Sequence, residues 1–390
     1  ADYMGKLFDL EAEGYFYTRL ANPTCGYVEA KIADLEGGSG AMLTSAGQAA
    51  TLCAVMTIAE AGDHIICSSA VYGATFNLLG VTLKKFGIDT TFVNPDDDYD
   101  TLAKAFKDNT KAVLGETISN PSLDVLDIEK FAKLAHDHKV PLIVDNTFAT
   151  PILCRPLEFG ADIIIHSTSK YMDAHAAALG GVIVDGGKFD WAASGKFPSF
   201  TTPDESYHGV VYAKDFGNQA FITKARAQLM RDLGVTPAPM NAFLLNTGLE
   251  TLHLRMPRHC ENALAVAEFL EKDSRVSWVN YPGLKSSKYR ELVEKYLPNG
   301  TSGVVSFGIK GGRETAVKFL DALKLAAIVT HVADARTCAL HPASTTHRQM
   351  TDEQLIECGV GPDLVRFSVG IENAKDIIAD LDQALDAANA

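Results

Sequence analysis

The stretch KVPLIVDNTFATPILCRPLEFGADIIIHSTSKY, residues 139–171, decides the fold class. It holds two short apolar runs, PLIVD at 141–145 and ADIIIH at 161–166, and polar residues follow each run directly. Continuous apolar runs of this length are typical of strands buried on both faces, as in a parallel sheet covered by helices. A further run, KAVLGET (111–117), precedes an amphipathic segment at 127–139 that predicts a helix, so strands and helices alternate.

The same alternation extends from about residue 25 to residue 185. Its other predicted elements are helices at 28–36 and 50–62 and strands at 41–45, 63–68 and 180–185. Residues 186–222 show little periodicity, and we expect a functional covering segment there rather than a linker. Beyond about residue 240 the pattern predicts a smaller α+β domain, with helices at 241–256, 261–272 and 375–388 and strands at 302–309 and 364–371. The predicted class is therefore α/β, a mixed, mostly parallel sheet flanked by helices with a smaller C-terminal domain.

Composition and charge exclude several classes of protein. The chain has 390 residues and a formal net charge of −14, without a basic run, which argues against nucleic acid or an anionic membrane as a partner. Its seven cysteines are scattered and never spaced C-x-x-C, as expected of reduced thiols in a cytoplasm. Dinucleotide, P-loop and zinc-protease motifs do not occur, and the histidines lack metal-ligand spacing, so we expect no metal.

Polar residues that follow the predicted strands are the first candidates for a site, because ligands of open parallel sheets bind outside the carboxyl ends of the strands. Asp145 ends one apolar run and needs a cationic or N–H partner there. Ser167 and Ser169 stand beside Lys170 after the next run, either as a site that binds a phosphate and an aldehyde or as a capped turn with a solvent lysine. Gly47, at the start of a predicted helix, either admits an anion to the helix N-terminus or makes a plain tight turn.

Together these three sites hold the parts needed to bind pyridoxal 5′-phosphate (PLP). A helix N-terminus would bind the phosphate, a carboxylate would pair with the pyridinium nitrogen, and a lysine would hold the aldehyde as a Schiff base. The carboxylate would keep the ring nitrogen protonated, so that the ring could accept electrons from a substrate carbanion.

Four further residues are candidates with alternatives that the sequence leaves open. Arg366 lies in the apolar run LVRFSVGI and should pair with a carboxylate, either of a ligand or of the protein. Tyr17 and Arg19 precede the first predicted helix and form a second anion site or a surface pair. Tyr72 follows the strand at 63–68, where it could stack on a flat cofactor or belong to the core.

These residues lie in segments that resemble the cysteine/methionine-metabolism family of PLP-dependent enzymes, of fold type I. The order and spacing of the segments fit as well as their content. The segments are YTRLANPT (17–24), SAGQAA (45–50), ETISNPSL (116–123), VDNTFATP (144–151), HSTSKY (166–171), HPASTTH (341–347) and VRFSVGIEN (365–373).

The resemblance implies a role for each candidate. Lys170 would form the Schiff base, Asp145 would pair with the ring nitrogen, and Tyr72 would stack on the ring and assist proton transfer. Arg366 would bind the substrate α-carboxylate, with His331 close to it. The cofactor-binding residues would be Tyr17, Arg19, Gly47, Gln48, Tyr72, Asn120, Asp145, Ser167, Ser169 and Lys170.

The resemblance also implies a domain division and an assembly. Residues 1–21 would be the remnant of an N-terminal arm, 22–252 a large PLP-binding domain and 253–390 a C-terminal domain. Tyr17 and Arg19 would reach the phosphate of a neighbouring subunit, which implies a dimer and usually a dimer of dimers. Family members carry several dozen residues ahead of the Tyr-Arg motif and this chain carries sixteen, so we expect its start to be incomplete.

Within the family, the segment PDESYHGVVY (203–212) and Ala74, where methionine γ-lyases carry cysteine, resemble the O-acetylhomoserine sulfhydrylases. That branch implies a γ-replacement of acetate by sulfide or another sulfur donor, which gives homocysteine for methionine biosynthesis in the cytoplasm. The alternatives are a methionine γ-lyase or a cystathionine γ-synthase activity. The chain departs from the family pattern at His331 and Ala333, where a small polar residue and glycine are expected, and at the alanines of SKYMDAHAAALGG (169–181).

Overall fold

The structure is a computed structural model that describes residues 1–12, 14–346, 348, 351, 353 and 360–390. The last residue of the HPASTTH segment, His347, lies outside the described residues. Among the described residues, every helix is too short or too polar to span a bilayer.

A seven-stranded sheet forms the first layer, and its strand order is β1-β7-β6-β5-β4-β2-β3. Strands β2 to β6 pair in parallel, whereas β7 is antiparallel to both β1 and β6. This is the mixed, mostly parallel sheet that the sequence predicts. The strands are β1 Gly40–Thr44, β2 His64–Ser68, β3 Asp89–Val93, β4 Thr110–Glu116, β5 Leu142–Asp145, β6 Ile163–His166 and β7 Gly181–Asp185.

Helices cover the sheet because their apolar faces have no other place to be buried. The α-helices of this part are Asp2–Phe8, Pro23–Glu36, Gly47–Met56, Gly73–Asn77, Tyr99–Ala103, Ile128–Asp137, Thr150–Leu153, Trp191–Ser194, Pro198–Thr201, Tyr212–Asp215, Ala220–Lys224, Arg231–Leu233 and Pro239–Leu249. Shorter 3₁₀ and π turns lie at Leu78–Thr82, Leu83–Phe86, Pro156–Phe159, Glu205–Tyr207, Gly217–Gln219 and Ala225–Met230.

A second sheet has five strands in the order β10-β11-β12-β9-β8. Its strands are β8 Val276–Asn280, β9 Val304–Ile309, β10 Ala327–Ile328, β11 Cys338–Leu340 and β12 Leu364–Ser368. The helices of this part are Leu252–Lys272, Arg290–Tyr296, Gly312–Ala322 and Ala374–Asn389, and a 3₁₀ turn lies at Pro342–Ser344.

The long helix Leu252–Lys272 connects the two apolar cores. Met256 in its first turns belongs to the core of the large sheet, whereas Val266 belongs to the core of the small sheet. The predicted division at residues 252 and 253 falls at the start of this helix, and the domain limits stay a prediction.

Some predicted bounds were wrong. The helix predicted at 50–62 is Gly47–Met56, and the helices predicted at 241–256 and 261–272 are Pro239–Leu249 and Leu252–Lys272. Pro257 lies inside the second of these and does not end it, although proline removes one main-chain hydrogen bond. Strand β3 was not predicted.

The start of the segment 186–222 packs at the amino ends of the strands. Lys111, the second residue of β4, donates from Nζ to the carbonyl of Lys196 at 2.6 Å. Trp191 is buried and stacks on Phe200 with ring centroids 4.2 Å apart. This part of the segment therefore does not cover the strand ends that carry Asp145 and Lys170.

Candidate active site

The candidate residues meet at the carboxyl ends of β4, β5 and β6. Glu116, the last residue of β4, is the register partner of Asp145, the last residue of β5. Asp145 pairs in turn with Ile165 of β6, and the turn that follows β6 carries Lys170. Neighbouring parallel strands that end at one edge bring these side chains together, as the position of the site in such sheets requires.

Asp145 has an N–H partner and no cationic one within the described residues. The main-chain N–H of Thr147 donates to its Oδ1 at 2.9 Å. Burial raises the pKa of the Asp145 carboxyl, while the hydrogen bonds from Thr147 and the charge of His166 act in the opposite direction. A carboxylate that is costly to bury in this way would be stabilised by a cation such as a protonated ring nitrogen.

Lys170 points into the site and is half-buried, so the interpretation as a solvent lysine is wrong. Its Nζ lies 3.2 Å from Nδ1 of His331. Burial lowers the pKa of the Lys170 ammonium, and the positive charge of Arg366 lowers it further. Both effects favour the neutral amine, which is the form that can attack an aldehyde or accept a proton.

His331 lies between Lys170 and Arg366. Burial and the charge of Lys170 lower the pKa of its imidazole to about 4, so the ring is neutral at neutral pH. Its Nε2 is buried without a hydrogen-bond partner among the described residues and lies 3.7 Å from Oδ2 of Asp334. With Nδ1 toward the lysine, the ring can accept a hydrogen bond from the Lys170 ammonium.

Arg366, on β12, is 7% exposed, and its hydrogen bonds go to neutral acceptors. They are Oδ1 of Asn120 at 3.3 Å and the carbonyls of Thr330 at 2.9 Å and His331 at 3.3 Å. No carboxylate of the described residues pairs with it, so the alternative of an internal salt bridge is wrong. A buried guanidinium that has no carboxylate partner can bind the carboxylate of a ligand.

Gly47 and Ser167 approach each other so closely that no side chain fits between them. A Cβ at residue 47 would lie 2.6 Å from Cβ of Ser167 and 2.9 Å from its Cα. Gly47 is the first residue of the helix Gly47–Met56, and its N-cap, Ala46, provides no side-chain cap. The first main-chain N–H groups of this helix are therefore available to an anion held near Ser167.

The other predicted phosphate-binding side chains contact neighbours at the same edge. Nε2 of Gln48 donates to Oγ1 of Thr75 at 3.0 Å. The hydroxyl of Ser169 donates to the carbonyl of Gly180 at 3.2 Å and accepts from its N–H at 3.0 Å. These bonds already use the Ser169 hydroxyl to hold the turn. The role of Ser169 in phosphate binding therefore stays a prediction.

Tyr72 is not a core residue, so that alternative is wrong. It is 46% exposed, precedes the helix Gly73–Asn77, and lies near enough to Arg366 for their charges to interact. Its main-chain N–H donates to Oε1 of Glu116 at 2.6 Å.

Tyr17 and Arg19 lie elsewhere in the chain, and no contact among the described residues joins them to Lys170. The Arg19 guanidinium carbon lies 5.2 Å from the centroid of the Tyr17 ring, and the guanidinium donates to the carbonyl of Arg231. Both side chains line a cavity of about 1050 Å³ together with Tyr15 and Arg226.

Glu116 is the residue of this edge that was not singled out from the sequence. It ends an apolar run as Asp145 does, so the same strand-end rule could have found it. Its side chain is buried, and its carboxyl accepts hydrogen bonds from the main chain of Tyr72 and of Asn120.

The comparison with known families agrees with this geometry. Residues 2–386 match the family described as "Cys/Met metabolism PLP-dependent enzyme". The chain belongs to this family. Its residues fit the cofactor, because the close approach of Gly47 and Ser167, the acid at Asp145 and the amine of Lys170 are present at one edge of the sheet.

Individual relatives are similar over almost the whole enzyme. A "homocysteine synthase" of Schizosaccharomyces pombe is 50% identical over 389 residues, which cover 99% of this chain and 90% of the relative. An "O-acetyl-L-homoserine sulfhydrylase" of Leptospira meyeri is 47% identical over 393 residues, which cover 98% of this chain and 88% of the relative. A structure named as an O-acetylhomoserine (thiol)-lyase of Campylobacter jejuni has a TM-score of 0.95 at 38% identity, covers 99% of this chain and 91% of its own, and carries a pyridoxyl-lysine phosphate.

Proposed function

We propose that the enzyme catalyses a γ-replacement that converts O-acetylhomoserine and sulfide, or another sulfur donor, to homocysteine and acetate. The observation that carries the proposal is the buried guanidinium of Arg366, which has only neutral partners and lies beside the residue that contacts Lys170. An amino-acid carboxylate bound there would have its Cα near the Lys170 amine. The names of the similar proteins support O-acetylhomoserine as that amino acid.

Each residue of the site then has a defined task. Lys170 would hold the cofactor aldehyde, Asp145 its ring nitrogen, and Gly47 with Ser167 its phosphate. Arg366 would bind the substrate carboxylate, and Tyr72 would cover the ring. When bound, PLP supplies an electron-accepting ring that makes the Cα hydrogen of an attached amino acid acidic.

Lys170 moves the protons of the reaction. Its free amine takes the proton from Cα, releases it within the site, and as a neutral amine again takes one from Cβ. Burial and the charge of Arg366 favour this neutral form. The C–O bond to acetate at Cγ breaks, a C–S bond to sulfide forms there, and both protons return to carbon. His331, whose Nδ1 faces the lysine, accepts a hydrogen bond from the ammonium that exists between these steps.

The proposal includes an assembly, because the family resemblance assigns Tyr17 and Arg19 to the phosphate site and no contact among the described residues joins them to Lys170 of their own chain. We infer that they reach the phosphate in a neighbouring subunit, which requires a dimer, and that the complete enzyme is a dimer of dimers. The buried free cysteines, which form no disulfide among the described residues, support a cytoplasmic location.

The test is a comparison of substrates. The holoenzyme should form homocysteine and acetate from O-acetylhomoserine plus sulfide, and little keto acid from methionine or cysteine alone. Substitution Lys170→Ala should abolish turnover, whereas the exposed Lys188→Ala should not change it. Keto acid from methionine as the main product would favour a γ-lyase, and cystathionine from cysteine would favour a cystathionine synthase. Full turnover by Lys170→Ala would disprove the site.

A further inference from the structure

Glu116 is a buried carboxylic acid that the reaction above does not use. It is 7% exposed and stands in register with Asp145 on the neighbouring strand. Its Oε1 accepts the main-chain N–H of Tyr72 at 2.6 Å, and the main-chain N–H of Asn120 is a second donor to its carboxyl. One side chain therefore holds the two segments that present Tyr72 and Asn120 to the site.

The surroundings of Glu116 favour its neutral form. Burial raises the pKa of its carboxyl well above the usual value, the negative charge of Asp145 raises it further, and the two N–H donors act in the opposite direction. The thiol of Cys67 on β2 also faces it, and burial raises the pKa of that thiol as well, so it brings no compensating charge. Two carboxyls on adjacent strands cannot both ionise in a buried site without a large cost.

We propose that Glu116 is a positioning residue, kept as a neutral acid, that fixes Tyr72 and Asn120 around the cofactor and leaves the negative charge of this edge on Asp145. The inference rests on the proposed function, since the positions of these residues matter only if the Lys170 site holds PLP. A neutral Glu116 accepts the Tyr72 N–H through its carbonyl oxygen. It does not compete with Asp145 for the positive ring nitrogen.

Two substitutions distinguish the effect of the Glu116 hydrogen-bond acceptor from the effect of a charge on this side chain. Glutamine has the shape of a protonated glutamate and keeps a carbonyl acceptor, so Glu116→Gln should bind PLP within about twofold of the wild-type affinity. Methionine has a similar length without such an acceptor, so Glu116→Met leaves the Tyr72 N–H unpaired. The loss of one buried hydrogen bond predicts about a tenfold faster loss of PLP from the holoenzyme on dilution.

The control is Glu29, a second buried glutamate, whose carboxylate forms a salt bridge. Oε2 of Glu29 pairs with Arg226 at 2.8 Å, so Glu29→Gln should lower the melting temperature while Glu116→Gln should not. Dissociation of PLP is followed by its visible absorption, and circular dichroism of the same band reports the orientation of the ring.

Infrared difference spectra of the holoenzyme test the protonation state directly, even if Glu116→Met does not fold. The wild type minus Glu116→Gln spectrum at neutral pH should contain the carbonyl stretch of a protonated acid. Carboxylate bands in its place, or wild-type PLP retention and circular dichroism in Glu116→Met, would disprove the inference. Turnover by Lys170→Ala would instead disprove the site assignment, so the two failures are distinguishable.

Discussion

At the scale of single residues, the site combines a carboxylate and a buried guanidinium, and no group of opposite charge among the described residues pairs with either. Asp145 receives an N–H group and Arg366 binds neutral oxygens, so each retains the capacity to pair with a bound ion. Burying such charges costs free energy that a structural salt bridge would recover. The residues are therefore arranged for a ligand that carries a cation at one end and a carboxylate at the other.

Arg366→Gln should change both substrate binding and the pH dependence. Loss of the buried charge pair should raise KM for O-acetylhomoserine by about 100-fold. Because the charge of Arg366 lowers the pKa of Lys170, its removal should raise that pKa and move the acid limb of the kcat profile to higher pH. Initial rates measured at several O-acetylhomoserine concentrations across pH give both KM and the kcat profile. An unchanged KM would mean that Arg366 is structural.

The sequence predicted Asp145 and Lys170 because both follow apolar runs that can only be buried strands. It left Arg366 undecided, since a strand pattern shows that an arginine is buried and does not show what faces it. The partners of Arg366 come from residues 120, 330 and 331, which are distant in sequence. The strand-end rule could have found Glu116, but its role depends on the main chain of another loop, which the sequence does not show.

At the scale of elements, the start of the helix Gly47–Met56 depends on a glycine. Gly47→Ala places a methyl group 2.6 Å from Cβ of Ser167, so the helix start and the turn after β6 must separate. We expect about a tenfold loss of PLP affinity or more, since main-chain N–H groups bind phosphate only at close range. Equilibrium titration with PLP measures this. Gly73→Ala is the control, because a Cβ there meets nothing within 4 Å.

Three alanines among the described residues, Ala174, Ala176 and Ala333, occupy backbone conformations that favour glycine. Ala333, in the loop that carries His331, has φ 63°, and Ala174, after Lys170, has φ 75°. Ala333 stands where the family pattern led us to expect glycine, and Ala174 is one of the alanines that depart from the pattern after Lys170. The N–H of Ala335 donates to the carbonyl of Ala174 at 2.7 Å, so the two strained segments are joined beside the site.

Ala333→Gly and Ala174→Gly should each stabilise the folded enzyme by about 1 kcal/mol, because a left-handed alanine costs more than the entropy that glycine adds. Melting temperatures of the holoenzymes check this. Ala177→Gly is the matched control, since Ala177 does not have a positive φ and its replacement should give no gain. A lower melting temperature for both test variants would contradict the backbone strain inferred at Ala333 and Ala174.

The central strands and the longer helices followed from periodicity, and the errors have local causes. Pro257 suggested an end between helices, but the helix Leu252–Lys272 runs through it because both of its ends pack on apolar cores. Strand β3, Asp89–Val93, begins with polar residues and lies at the edge of the sheet. It therefore lacks the apolar run from which the central strands were predicted. Tertiary packing decided both cases.

At the scale of the whole molecule, the proposed dimer would complete the cofactor site with Tyr17 and Arg19 of the neighbouring subunit. Arg19 is fixed by the carbonyl of Arg231, and its own carbonyl accepts the hydroxyl of Thr236 at 2.6 Å. These contacts hold Arg19 against the segment 231–236 of its own chain. Cofactor binding and subunit association should therefore be linked.

Subunit mixing tests this linkage. Lys170→Ala and Arg19→Ala homo-oligomers should each be inactive or nearly so. In a mixed dimer, one site combines Lys170 of one subunit with Arg19 of the other, while the second site lacks both. Random co-assembly should therefore restore about one quarter of wild-type activity per site. Mixing the Lys170→Ala protein with itself gives the background. If Arg19 instead served the phosphate of its own chain, every site in the mixture would lack one of the two residues, and co-assembly would restore nothing.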